Sequence, residues 1–545
     1  GVFSMFNNKS RSLYLPKTLL FASCLFLCSA VISVETGKGT MSQDEYNKER
    51  DRLAWQHRIS HNNDGCDAFY YPANKEATVQ GFLERRAANL PKTGITTMTY
   101  TPQSAGFGLF THKTKKGEFL TWSDENTKGT KNIAKDLADQ GKDVLQIMIE
   151  FSHKNNLECF FSMRMNDTHD AASSEKKYHP LFPTLKKEHP EWLVGNIAER
   201  HSMKYGRWSS VNYAVPEIRD LAVSYVEEVC QNYDVDGIEL DFCRHLTFFP
   251  SSAKGESASD REREYMNELM KRMREVTDRE GMRRNRPILL TVRVPDDLEY
   301  AKALGLDFDY WMKEHLADIF IGSDYFHLNQ WEYWSAFGKK YHVPVYAGLS
   351  ESRVKKGDNR FSRWGEPAYA ARAVAAWDAG VAGIHFFNEY SGKAPFLTSC
   401  ASIEALKSVN KVFFQTTQHN GYRPTHYLKE GEKYRHLPIL CPDTPAVFNP
   451  NEEKIYEMDF GKEPERNPKK ILLCCRFNTG LKDSPLAVFV NGKILTNGIQ
   501  NKKWPEWIDF PLDASQLHAG INEIGFKAKE ENAILLDIAV SFEYR

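Results

Sequence analysis

Residues 234–245 read DVDGIELDFCRH. The stretch is short and largely apolar, yet it carries Glu239 and Asp241 two positions apart, followed by Arg244 and His245. Strand side chains alternate in direction, so Glu239 and Asp241 share one face while Ile238, Leu240 and Phe242 take the other. Two carboxylates pointing the same way from a buried strand need either a partner or a task.

Working outward, the strand is preceded by PEIRDLAVSYVEEVCQNY (216–233), whose Pro216 and Glu217 suit a helix's first turn, and followed by the helical REREYMNELMKRMREVTDREG (261–281). The same rhythm runs both ways. Toward the N-terminus lie the expected strands GCDAFYY (65–71), ITTMTY (95–100) and ECFFSMRM (158–165), with helices VQGFLERRAANL, NIAKDLADQGKDVLQIMIEFSHKN and FPTLKKEHPEWL between them. Toward the C-terminus come PILLTVRV, DIFIGSDY, PVYAGLS and VAGIHFF, separated by LDFDYWMKEHLA, QWEYWSAFGKKYH and EPAYAARAVAAWDAG. Strands alternating with helices require parallel pairing through right-handed crossovers. Eight such units over residues 64–412 predict an α/β fold of the (β/α)8 TIM-barrel type. A doubly wound open sheet is disfavoured, because no GxGxxG or GxxxxGK[ST] follows the first expected strand.

The flanks differ. Lys9, Arg11 and Lys17 precede seventeen uncharged residues, Thr18 to Val34, which predicts a signal peptide over 1–34 and an exported, periplasmic or extracellular protein, with a membrane anchor as the alternative if the leader is retained. Residues 35–63 form an N-terminal segment. The proline-rich stretch 413–450 reads as a linker, and 451–545 as an all-β sandwich, jelly-roll-like, built from ILLCCRF, PLAVFVNGKIL, WIDFPLD, INEIGFKAK and AILLDIAVSFEYR. Asn491-Gly492 is a type I′ turn candidate. With 71 basic against 72 acidic residues, the chain has no global field for nucleic acid or an anionic membrane. The eight cysteines beyond the leader are dispersed, without a CxxC pair, so neither a metal cluster nor any cofactor is implied.

In a barrel of this kind the site forms at the C-terminal ends of the strands. Read in order, those ends supply Tyr70 and Tyr71; Arg164, Asn166, Asp167 and His169; Glu239, Asp241, Arg244 and His245; Arg293 and Asp296; Asp324, Tyr325 and His327; Glu351 and Arg353; and Asn388. Glycosidic cleavage needs two carboxyl groups, about 5 Å apart for retention and about 6.5 to 9.5 Å for inversion. Asp241 and Glu351 are the leading pair, with Asp296 a substitute for Glu351 and Glu239 a further catalytic candidate or the counter-charge of an arginine. The remaining residues, with Trp208, are expected to bind substrate, aromatic rings by stacking on sugar faces and arginines by pairing with sulfate or uronate groups. His169, His245 and His327 with Asp241 or Asp324 offer a metal-dependent alternative.

The segments DGIELDFCRH, SMRMNDTHD, LTVRVPDDLEY, YFHLNQWEYW and VPVYAGLSESR resemble exported, glycoside-hydrolase-like TIM-barrel proteins of environmental bacteria, the family-ten-like glycosyl hydrolases. The resemblance implies a glycosidase acting on a polysaccharide or oligosaccharide, often with a C-terminal β-sandwich. Family-ten xylanases place a glutamate after an asparagine at the end of strand four. Here that strand ends in Asp241, similar to the nucleophile position of α-glycosidase and fucosidase-type barrels, which makes α-linked substrates part of the expectation. The rival is a non-catalytic carbohydrate-binding surface protein.

Overall fold

The computed structural model describes residues 41–103, 105–322, 327–350, 354, 356, 358–418, 423–478, 484–528 and 533–544. The expected signal peptide lies outside them, and no helix among the described residues is long and apolar enough to cross a membrane. Eight parallel strands close into a barrel: β1 (Arg58–Asn63), β2 (Thr97–Tyr100), β3 (Glu158–Arg164), β4 (Gly237–Asp241), β5 (Leu289–Val294), β6 (Ile319–Gly322), β7 (Val345–Ser350) and β8 (Gly383–Phe387). Each pairs with its neighbours in sequence, and β1 also pairs with β8. Most helical patterns fold as expected, into α2 (Val79–Arg86), α3 (Val144–Lys154), α4 (Pro216–Asn232), α5 (Asp260–Arg283), α6 (Phe308–Lys313), α7 (Trp331–Tyr341) and α8 (Glu366–Ala379), while α1 (Gln43–Ala54) precedes the barrel. The stretch before α3 breaks off as a separate helix, Ala134–Asp139, and FPTLKKEHPEWL yields only a short helix, Thr184–Glu188, and a 3-10 turn, Pro190–Trp192. The TIM-barrel expectation is borne out.

The first strand is not where the sequence pattern put it. GCDAFYY, expected as strand one, turns through a short helix, Cys66–Phe69, and its Gly65 takes a φ of 73° with a virtual Cβ 2.0 Å from the Thr101 carbonyl oxygen, so only glycine fits there. The true strand is RISHNN, which has a single apolar side chain. Its inward residues are polar because their partners come from distant strands: Arg58 donates Nε and Nη2 to Glu158 at 2.7 and 2.8 Å, and Ser60 Oγ lies 2.8 Å from His385 Nδ1.

The barrel interior is graded. At its floor Phe160, Leu289, Ile319, Ile321 and Tyr346 pack with Leu53 and Ala54 at the end of α1, which plugs the N-terminal opening. Arg58 fastens the plug by donating to the carbonyls of Leu53 and Ala54. Burying each large apolar side chain there contributes roughly 1.5–3 kcal/mol. One layer up, Ser162, Glu239 and Thr291 are in register, and above them Arg164, Asp241 and Arg293. On the outward face of β4, Ile238, Leu240 and Phe242 are fully buried in the main apolar core.

Beyond the barrel, six strands form one antiparallel sheet and four form another. The first contains β9 (Lys411–Phe414), β10 (Ala446–Phe448), β12 (Lys470–Phe477), β15 (Ile499–Gln500), β16 (Trp507–Leu512) and β18 (Ala533–Glu543); the second contains β11 (Glu453–Asp459), β13 (Leu486–Val490), β14 (Lys493–Leu495) and β17 (Ile521–Ala528). The expected linker 413–450 thus begins and ends in strands that pair with β18. Asn491 and Gly492 join β13 to β14 with φ values of 49° and 76°, both positive, as a type I′ turn demands. The loop after β7 is bolted to these sheets: Arg363 gives Nη2 to both Asp537 oxygens at 2.7 Å and Nε to the Thr416 carbonyl at 2.8 Å.

Candidate functional site

The C-terminal mouth is built around three charged residues in register on β3, β4 and β5: Arg164, Asp241 and Arg293. Arg293 grips Asp241 with two bonds, Nε to Oδ1 at 2.9 Å and Nη2 to Oδ2 at 3.0 Å, and the Cys243 amide adds a third at 3.0 Å. The guanidinium is covered by the Phe387 ring, 3.7 Å away at the end of β8. Asp241 is 1% exposed. Its carboxylate faces into the barrel and is clamped, because the shared register places the β5 arginine directly beside it.

Beneath it, Glu239 is also 1% exposed and accepts from Ser162 Oγ at 2.7 Å. Burial, reinforced by the neighbouring Asp241 charge, pushes its carboxyl up to about 8, so it keeps its proton at neutral pH. His385, 3.8 Å away, is held well below the usual histidine range by burial and by Arg293. Glu239 is therefore an internal carboxyl and not the counter-charge of an arginine.

A second network lies on the loop after β3. Asp167, fully buried, accepts from Arg164 at 2.8 Å and lies 2.5 Å from His169 Nδ1. Burial alone would raise its carboxyl, but His169, Arg164 and His245 hold it well below the usual range. Arg244 Nη2 is 2.7 Å from His169 Nε2, and the Thr168 amide donates to His245 Nδ1 at 3.0 Å. Asp167, His169 and His245 lie close enough to share a metal ion. They do not fit one. Arg244 can only donate, so it occupies the lone pair of His169 Nε2, and a His245 ring whose Nδ1 accepts carries its proton on Nε2.

The other expected residues separate by environment. Asp296 is a loop anchor, 1% exposed, taking the amides of Leu328 and Asn329 and lying 2.7 Å from His327 Nδ1. Asn166 ties two loops by donating to the Thr247 and Val211 carbonyls. Trp208 and Tyr71 are corrected as sugar platforms: Trp208 donates to the Ala171 carbonyl and stacks on Phe182, and Tyr71 donates to the Glu76 carbonyl. Tyr70 is half-buried beside Phe69, and Asn388 is buried at a positive φ of 56°. Glu351, Asp324, Tyr325 and Arg353 lie outside the described residues.

Sequence reasoning missed the contribution of β1 and its loop. His61 pairs with Glu389 at 3.0 Å, and Asp64 with Arg86, whose guanidinium covers the exposed Tyr390 ring at 4.5 Å. Burial would raise Glu389, yet His61 and the Ser391 and Gly392 donors bring it down to about 2. The signal is present in the polar string HNND, but it precedes GCDAFYY, the apolar run that fits the strand pattern.

Comparison with known proteins bears out the resemblance over part of the chain. The family model described as glycosyl hydrolase-like 10 matches residues 100–274, which carry both networks apart from Arg293, His385 and Phe387. A glycosyl hydrolase, YngK, of Bacillus subtilis strain 168 is 30% identical over 125 residues, 22% of this chain and 21% of that protein. An S-layer-related protein of Niallia circulans is 35% identical over 112 residues, 19% of this chain and 6% of the other. The aligned segments thus span about a fifth or less of these relatives. Among solved structures, a cycloisomaltooligosaccharide glucanotransferase from Paenibacillus superposes with a TM-score of 0.37 at 9% identity, covering 89% of this chain and 57% of that one.

Proposed function

We propose that this chain, a glycoside-hydrolase-like TIM barrel matched by the glycosyl hydrolase-like 10 model from residue 100 to 274, cleaves glycosidic bonds in an exported polysaccharide- or oligosaccharide-degrading role. The observation that carries the reading is the stacked carboxyl pair on β4. Asp241 is paired with Arg293 at the mouth, while Glu239 one layer below is kept protonated. A carboxylate offers about four acceptor positions. The Arg293 fork and the Cys243 amide take three of them. Catalysis through Asp241 requires substrate to reach the remaining Oδ2 position from the mouth, where a negative charge suits an oxocarbenium-like transition state. Glu351, the residue after β7, is the proposed acid partner. α-Linked substrates are included, from the aspartate at the end of strand four.

A specific observation favours a second reading. The same clamp and the 1% exposure of Asp241 are what a purely structural ion pair would show, and then the mouth binds glycan without cleaving it. The test is reducing-end release from a panel of plant and algal polysaccharides, sulfated ones included, by the wild type, Asp241→Asn and Glu351→Gln. Hydrolysis by the wild type, lost in both variants while oligosaccharide binding and folding persist, supports the enzyme. Binding without release from any polymer overturns it in favour of the binder, and full activity in folded Asp241→Asn overturns the role of that carboxylate.

A further inference from the structure

Residues Ser42–Arg545 form one compact unit, and within it a cleft opens between the end of β7, the first turns of α7 and α8, and strands β9 and β11. Its wall includes His327, Trp331, Ser350, Arg372, Gln415 and Asp459. Arg372, two turns into α8, is tethered through one nitrogen only: Nη1 donates to the Ser350 carbonyl at 2.9 Å, and the guanidinium lies over the Tyr369 ring at 4.1 Å. Its Nε and Nη2 are buried and have no hydrogen-bond partner among the described residues.

That unpartnered pair is the same edge with which Arg293 grips Asp241 and Arg58 grips Glu158. Two parallel donors withdrawn from water and left without an acceptor are costly, and their geometry matches the two oxygens of a carboxylate or sulfate. The arginines at the mouth do not share this property. Arg164 is committed to Asp167, Arg293 to Asp241, and Arg244 to His169. The cleft wall also carries Gln415 Oε1 and Asp459 Oδ2, both buried without a partner among the described residues. Both accept from hydroxyl groups. Asp459, with Glu457 beside it in the wall, repels an anion and so orients a ligand with its charged end toward Arg372.

We propose that the Nε–Nη2 edge of Arg372 is a binding site for an oxyanion, a carboxylate or sulfate, carried by a saccharide that lies in this cleft against Trp331. That the oxyanion is borne by a sugar rests on the proposed function; the anion site itself does not.

The test measures binding without turnover, by calorimetry on the full chain, with digalacturonic acid, its neutral methyl ester and a sulfated disaccharide as probes. The expected result is that the wild type prefers the acid over the ester by about tenfold or more, and that Arg372→Gln removes the preference while leaving ester affinity unchanged. Arg372→Lys keeps the charge but loses the fork, and is expected to retain only part of it. Tighter binding of the sulfated probe than of the acid assigns the site to sulfate; the reverse assigns it to uronate. Equal affinity of the wild type for acid and ester overturns the proposal even if the variants fail to fold, as does an undiminished preference in folded Arg372→Gln. A protein that shows the preference but hydrolyses nothing keeps this site and loses the glycosidase reading.

Discussion

Arg293 on β5 and Asp241 on β4 share one register position and are joined by two hydrogen bonds, at 2.9 and 3.0 Å, with both side chains about 1–2% exposed. Desolvating two charges this far is tolerable only while both are present, because either one alone is an uncompensated buried ion. Asp241→Asn is expected to destabilise the protein by ~3–5 kcal/mol, and the double variant Asp241→Asn/Arg293→Gln by less than the sum of the singles. Urea unfolding of the four proteins in the cycle checks this; additive losses would contradict the clamp.

The proton on Glu239 has its own signature. Its folded value of about 8 lies above the ordinary 4.5, so the native state binds a proton that the unfolded chain releases, and stability falls as pH rises from about 4.5 toward 8. Glu239→Gln carries no such penalty. The variant is expected to match the wild type near pH 4.5 and to exceed it by ~2–4 kcal/mol near pH 8. Asp241→Asn should shift the wild-type dependence to lower pH, since the Asp241 charge helps raise Glu239. Denaturation midpoints across this range decide it.

Asp167 and His169 touch each other but are expected to respond differently. Asp167 is fully buried between Arg164 and His169, whereas the His169 side chain is 44% exposed. Asp167→Ala leaves Arg164 buried without its closest acid and is expected to cost ~3–5 kcal/mol, against ~1 kcal/mol or less for His169→Ala. Thermal unfolding of the two variants provides the comparison.

Arg363 joins the loop after β7 to the last strand through Asp537, both about 1% exposed. Burial raises Asp537 to about 6 even with Arg363 beside it. Removing the arginine in Arg363→Ala is expected to raise it further, to cost ~3 kcal/mol, and to make residues 351–363 more susceptible to protease. Limited proteolysis and hydrogen exchange in that loop are the measurements. Unchanged protection would show that the sheets do not brace it.

Much of this architecture was legible in the chain because it depends on local alternation. The two-residue period of DGIELDF fixes which side chains of β4 face the helices, the helix–strand rhythm requires parallel pairing, and Asn491-Gly492 specifies a hairpin turn. Strand one escaped notice for the opposite reason. RISHNN is a strand only because Glu158 and His385, from β3 and β8, satisfy its polar groups, and nothing within six residues announces those partners.

The site followed the same division. That Glu239 and Asp241 point together was readable; that one is clamped and the other protonated was not, since the deciding arginine lies 52 residues away and is selected by strand register and burial. Likewise, four rim arginines looked equally able to take an anion. Only the folded chain shows three of them committed to internal partners and, among the described residues, a buried donor edge without a partner on Arg372, a helix residue that no strand-end pattern singles out. Direction along a strand is set by neighbours in sequence, whereas the partner of a buried charge is set by neighbours in space.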